Sequence, residues 1–216
     1  MPTHPSVEAL VRLNREPNPV VASTNAWNLA HALARRGRVR ELDDLFHLLP
    51  IPNPMRGGIW EVDWISFPVF PRLRLLHAAA ANVLRLWPRP LPWFHLVDPS
   101  TQTGDTCPVW WTKKLCQLSV PGYEMPDIAG GAGFSMFPFL MRQDISPLAP
   151  HRPTLQFDYR AAQRGEPRGP VHWLARHAHV DVVQIVPGVN LARLLIHIGT
   201  HRWWHTGHYV HRLLDQ

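Results

Sequence analysis

The pattern of apolar and polar positions is clearest in the last third of the chain. Thr154 to Tyr159, Val180 to Val186 and Leu191 to Ile198 are short apolar runs, and a Trp- and His-rich run from Trp203 to Leu214 follows. Short runs rich in Val, Ile and Leu, bounded by turn residues, predict strands. Pro187-Gly188 separates the second run from the third. Pro fixes φ and Gly permits positive φ, so the pair predicts a tight turn. Together the runs predict an antiparallel meander.

Upstream the period is helical. Ser6 is placed to cap a helix through Asn14, and Pro17 and Pro19 then break the chain. Ser23-Thr24-Asn25 offers caps for a second helix, Ala26 to Arg36, ended by Gly37. A third helix, Arg38 to Leu49, carries Leu42, Leu45, Phe46 and Leu49 on one stripe. Between Met55 and Phe67 the period drops to two: Trp60, Val62 and Trp64 alternate with Glu61, Asp63 and Ile65. Pro71 opens a helix through Leu86, and Trp87 to Pro92 forms a rigid linker. Further strands are predicted at Trp93 to Val97, Val109 to Leu118 and Phe134 to Met141, with a polar loop from Asp98 to Thr106 and a flexible one from Gly130 to Gly133.

The sum is an α+β fold, N-terminal helices followed by an antiparallel β meander closing into a lipocalin-like barrel. The expected organisation is a helical segment over 1–54 packed on a barrel domain over 55–216, with one inserted helix near 71–87.

Composition sharpens this picture. Ten Trp supply more aromatic surface than a compact core needs, which suggests a lined cavity. Twenty-three Pro favour short elements and many loops. The net charge is +6, with 20 Arg against 2 Lys. The Arg residues are scattered, and the one cluster, Arg35-Arg36 with Arg38 and Arg40, lies at an expected helix end, where cations are favoured. No nucleic-acid signature accompanies it, so nucleic acid is not an expected partner. Two Cys, Cys107 and Cys116, argue against a disulfide scaffold. Leu75 to Leu86 is broken by His77, Asn82 and Arg85 and is too short to span a bilayer, so no membrane association is expected and a cytoplasmic location is.

Met55-Arg-Gly-Gly58-Ile-Trp60, after a helix containing Leu42-Asp-Asp-Leu-Phe46, resembles the start of the bacterial GXWXG and DUF4334-type proteins, with Val62 in place of the second Gly. Leu155 to Tyr159, followed by Asp181 to Ala192, resembles a pattern in related bacterial proteins, with Asn190 and Ala192 where a Tyr and a Gly would stand. Trp111-Thr-Lys113 is similar to a Trp-x-Gly-Lys element without its Gly. The resemblance implies a small β-barrel of lipocalin-like character and carries over no catalytic residues.

Several constellations offer chemistry. His177-Ala-His179-Val-Asp181 would place three metal-ligand types on one strand face, or on a solvated face. His201, His205, His208 and His211 form a second group: His201, His205 and His208 share a face on a helix, and His201, His205 and His211 share one on a strand without a bulge at Gly207. Neither group has a complete ligand set at familiar spacing, so no metal and no other cofactor is expected. Glu61, Asp63, Asp158 and Tyr159 are the candidate acid-base groups, each effective only if it faces a cavity. Trp60, Trp64, Trp111, Phe134, Phe157 and Trp203 are the candidate ligand-binding aromatics, in a cavity expected between the meander and the N-terminal helices. The expected function is binding of a hydrophobic small molecule in an aromatic barrel cavity, by a cofactor-independent cyclase or isomerase. A non-catalytic carrier and a His-ligated metalloprotein are the alternatives, and a homodimer is compatible with any of them.

Overall fold

The computed structural model describes residues 5–35, 39–52, 55–66, 93–108, 137–162, 176–198 and 202–214. Three helices, α1 (Pro5–Asn14), α2 (Pro19–Arg35) and α3 (Val39–Leu48), precede a strand series: β1 (Gly58–Ser66), β2 (Trp93–Asp98), β3 (Thr103–Pro108), β4 (Phe137–Ser146), β5 (Ala149–Asp158), β6 (Ala178–Val186), β7 (Val189–Ile198) and β8 (Arg202–Leu213). A one-turn helix, α4 (Tyr159–Ala162), follows β5. The fold is α+β, and mostly sheet. Each strand pairs antiparallel with the next, and β8 returns to β1 to close the barrel. The expected helix near 71–87 and the expected strand from Val109 to Leu118 lie outside the described residues.

Two expectations are corrected by local chemistry. α2 begins at Pro19, not after Ser23-Thr24-Asn25. The Asn18 Oδ1 accepts the N–H of Val20 at 3.0 Å and of Val21 at 3.3 Å, which makes Asn18 the cap and Pro19 the first helical residue. Proline is tolerated there because its missing N–H would have had no helical partner. The polar stretch from Asp98 to Thr106 is a turn followed by β3, not a loop throughout. Asp98 Oδ1 accepts both the N–H and the hydroxyl of Ser100, reversing the chain, and Gln102 takes φ 54°.

Strand alternation divides the core in two. Inward positions fill the barrel with Trp60, Val62, Phe139, Phe157, Val180 and Tyr209. Outward positions Val183, Ile185, Val189, Leu191 and Val210 pack under Ala26, Ala30, Leu33, Leu42, Leu45 and Phe46 of the helices. The helical layer therefore covers the outside of the wall from β6 to β8. Arg152 of β5 donates to the carbonyls of His47 and Leu49, covering the open C-terminal end of α3. Gly104 is required where it stands: a Cβ there would run into the Phe139 ring.

Two strands carry bulges at the same place. The β7–β8 register passes from Leu194↔Gly207 to Leu195↔His205, leaving Thr206 as an extra residue. The β1–β8 register passes from Trp64↔Tyr209 to Ser66↔His208, leaving Ile65 as another. Each inserted residue reverses which face the following side chains occupy.

Candidate functional site

The barrel interior gathers aromatic rings from opposite walls. Phe139 and Phe157 stack with centroids 4.3 Å apart. The His211 imidazole lies parallel to Phe157 at 5.8 Å, and His95 stands edge-on to His211 at 4.7 Å. His95 also meets Phe139 at 5.3 Å and Tyr209 at 6.1 Å. Trp60 is anchored by an Nε1–H bond to the Arg56 carbonyl at 3.0 Å, and the Tyr159 hydroxyl pairs with Thr106 Oγ1 at 2.9 Å.

Besides the Tyr159–Thr106 pair and the Tyr209 phenol, His95, His211 and Asn190 enter this interior among the described residues. His95 sits two residues before Val97, an interior residue on the same strand. His211 lies between Tyr209 and Leu213, both interior. Asn190 is opposite His211 across β7 and β8, and its neighbours Val189 and Leu191 point outward to the helices. All three are buried, at 3%, 0% and 1% exposure. Among the described residues, His95 Nδ1, both His211 nitrogens and both Asn190 amide atoms have no hydrogen-bond partner. Burial pushes the His95 imidazole down to about 3. It pushes His211 well below its ordinary value too, helped by the neighbouring charge His95 would carry. Both rings are therefore neutral at ordinary pH, each offering one donor and one acceptor. Burial raises the Tyr209 phenol well above its ordinary value, so it stays protonated.

The residues singled out from sequence fall on both sides of the wall. Trp60, Phe157 and Tyr159 are inside the barrel, and Trp64 packs against that interior cluster. The buried aromatic cluster is thus within the barrel, while the space between the meander and the helices is filled mostly by aliphatic side chains, with Phe46 among them. Glu61, Asp63 and Asp158 point out. Glu61 Oε2 accepts from Arg212 at 2.5 Å, and the Arg212 guanidinium lies 4.7 Å over Trp27. Asp63 pairs with His31 at 3.4 Å, and Asp158 with Arg142 at 3.2 Å. Asp158 also accepts the Ala161 N–H at 3.0 Å, capping α4. Trp203 stands outside, edge-on to His179 at 5.4 Å and tilted on His197 at 4.8 Å. Trp111 and Phe134 lie outside the described residues.

Outside the wall of β4 to β8 is a cleft of about 820 Å³, bordered by Arg142, Asp158, His177, His179, His197 and Trp203. His177, His179 and Asp181 do not form a metal triad here, because Asp181 is fully committed behind the cleft. Its Oδ1 accepts from His179 and Thr154, each at 3.2 Å. Its Oδ2 accepts from Ser146 at 2.5 Å and Arg193 Nη2 at 3.0 Å. Burial alone would raise the Asp181 carboxyl, but the bonds from His179 and Ser146 and the charge of Arg193 outweigh it and hold it below its usual range. This is a satisfied buried ion pair, a structural arrangement.

Sequence reasoning missed His95 and gave Asn190 no site role. Both could be placed by parity with an apolar neighbour two residues away, Val97 and Ala192. What parity does not supply is that the three residues meet, because they come from strands joined by the closure of the barrel. Among the described residues no helix is long and apolar enough to cross a membrane. No protein-family model, no curated protein and no solved structure matches this chain.

Proposed function

We propose that the barrel is a lipocalin-like container whose interior receives a small, largely aromatic or apolar molecule bearing a polar group. The observation that supports this is the set of five unpartnered polar atoms on His95, His211 and Asn190. Buried polar groups are nearly always hydrogen-bonded, and leaving one unpaired costs roughly 1–3 kcal/mol. A ligand with a carbonyl, hydroxyl or amide would satisfy them, while Phe139, Phe157 and Trp60 contact its apolar body. An eight-stranded barrel is just wide enough to be filled by its own side chains or to hold one small ligand.

Carriage or sequestration is favoured over cyclase or isomerase chemistry by the state of the imidazoles. A general base works best with a pKa near the operating pH. His95, pushed down to about 3, is a weak proton acceptor. It is a good neutral hydrogen-bond partner.

The test uses untagged protein, extraction of any co-purified organic molecule, and titration with environment-sensitive hydrophobic dyes. His211→Leu and Asn190→Leu replace the polar atoms with apolar groups of comparable size. Saturable binding in the natural protein, weakened about tenfold or more in each variant while the ligand-free variants are no less stable, is the expected result (a factor of ten is about 1.4 kcal/mol). Equal dye binding by all three proteins would refute the reading.

A further inference from the structure

The paired bulges have a consequence on the outer face of β8. In an unbulged strand, residues three apart point to opposite sides. With Thr206 inserted, His205 lies opposite Leu195 and His208 opposite Arg193, and both point outward. Their rings stand edge-on with centroids 4.4 Å apart. His211 is inside the barrel and so does not share a face with His205, the segment is a strand and not a helix, and His201 lies outside the described residues; among the described histidines, His205 packs against His208. The bulge on β1 brings Ser66 opposite His208, so that Ser66 Oγ lies 2.9 Å from His208 Nδ1. From the helical layer, Asp43 of α3 reaches His208 Nε2 at 3.1 Å and His205 Nδ1 at 3.9 Å.

We propose that Asp43, His205 and His208 bind one divalent transition-metal ion, zinc by preference, which fastens α3 to the bulged segment of β8. One donor atom from each residue lies within 4.8 Å of the other two. Zinc bonds to imidazole and carboxylate at about 2.0–2.2 Å, so the ligand atoms of a tetrahedral site lie about 3.3–3.6 Å apart. The widest pair therefore needs to close by about 1.5 Å, and Asp43, 39% exposed on its helix, has room to move. Two imidazoles and one carboxylate are a borderline donor set suited to zinc rather than to calcium or magnesium.

The surroundings fit. Ser66 can accept the His208 Nδ1–H and so direct the Nε2 lone pair at the ion, the outer-shell support usual for a ligating histidine. His205 Nε2 is buried without a partner among the described residues. Arg193, the arginine whose charge acts on Asp43 and His205, is held by Asp181 and lies 4.3 Å over the Phe46 ring. Bulges recur beside functional sites because they re-aim side chains, and here two of them converge on one cluster.

The test uses the full untagged chain stripped by chelator, titrated with zinc by calorimetry and with cobalt(II) by visible absorption. One tight equivalent, a four-coordinate cobalt spectrum and a zinc-dependent rise in Tm are expected. His205→Gln and Asp43→Asn, both at partly exposed positions, should keep the fold and lose the tight equivalent, the spectrum and the Tm rise together. His177→Gln, in the cleft outside the β4–β8 wall, should lose none of them. The proposal is overturned if the natural protein takes up no tight equivalent. It is equally overturned if His205→Gln and Asp43→Asn bind zinc and shift in Tm as the natural protein does, since the metal would then sit on other histidines.

Discussion

Arg193 and Asp181 face each other across β7 and β6, 3.0 Å apart and buried from solvent on the outer side of the barrel wall. The pair sits where the helical layer meets the sheet. Arg193 reaches the Phe46 ring of α3 on one side and Ser146 of β4 on the other. Removing one partner of such a pair strands the other charge.

Arg193→Met is therefore expected to destabilise the fold by about 3–5 kcal/mol. Asp181→Leu combined with Arg193→Met should recover much of that loss, because no buried charge remains. Urea midpoints of the two variants and the natural protein, measured at one pH, decide the matter. Equal losses in the single and the double variant would show that packing, not charge, governs the site.

Trp60→Ala should cost roughly 3–5 kcal/mol, since the side chain is 2% exposed within the barrel. Trp60→Phe should cost less: it keeps one aromatic ring of the two and loses the pyrrole part with its bond to Arg56, that bond being worth about 1 kcal/mol. Comparable denaturation midpoints for the two variants would contradict the packing described.

Stability should rise with pH across the mildly acidic range. His95 and His205 have folded values of about 3 and about 4 against 6.5 for a free imidazole, and His211 is lowered as well. Below 6.5 the unfolded chain takes up protons that the folded chain refuses. Stability is therefore full above that value and is lost as pH falls toward the folded values, by up to about 1.4 kcal/mol per pH unit for each histidine. Asp43 and Asp181, also lowered, act in the same sense but only below their ordinary value of 3.8. Between roughly pH 5 and 6 the slope belongs to histidine. A His95→Leu, His211→Leu double variant should reduce it to the share that His205 contributes, and thermal melts across this range would reveal an undiminished slope if the two rings are solvated.

Gly207→Ala tests the bulge. A Cβ at Gly207 would stand 2.5 Å from the Ser66 carbonyl oxygen and 3.0 Å from the Trp64 ring. The carbonyl is backbone and cannot swing away, so β8 must move off β1. An overpacked contact of this kind costs about 1–3 kcal/mol. The variant should also weaken zinc binding, because the same shift separates His208 from Ser66 and Asp43. A fully stable variant with unaltered metal uptake would show that the strand approach is not tight.

Much of the wall was legible in the sequence, and the site was not. Short apolar runs and the Pro187-Gly188 turn located β5 to β8, and the Trp60, Val62, Trp64 alternation located β1, because burial on one face leaves a period of two. The same alternation puts Phe157 and Asp158 on opposite faces of β5, without saying which of them faces inward. It failed at β3, where Thr103-Gly-Asp-Thr-Cys107 has polar residues on both faces and so reads as loop. It failed again at His205 and His208, because one inserted residue inverts the facing of everything after it. The contacts of Asn190, His211 and His95 depend on cross-strand register and on closure, and neither is a property of any local window.

Closure has one further consequence, for biosynthesis. The final seam joins Trp60 to Leu213, so the two strands that seal the barrel are among the most distant in the chain. While the protein is being made, β1 and then β7 must each wait with one row of backbone amides and carbonyls unanswered. Only the emergence of β8 covers both at once. A nascent chain stalled before that point would present two bare strand edges and an open aromatic trough, the combination that chaperones capture and that other unfinished copies adhere to.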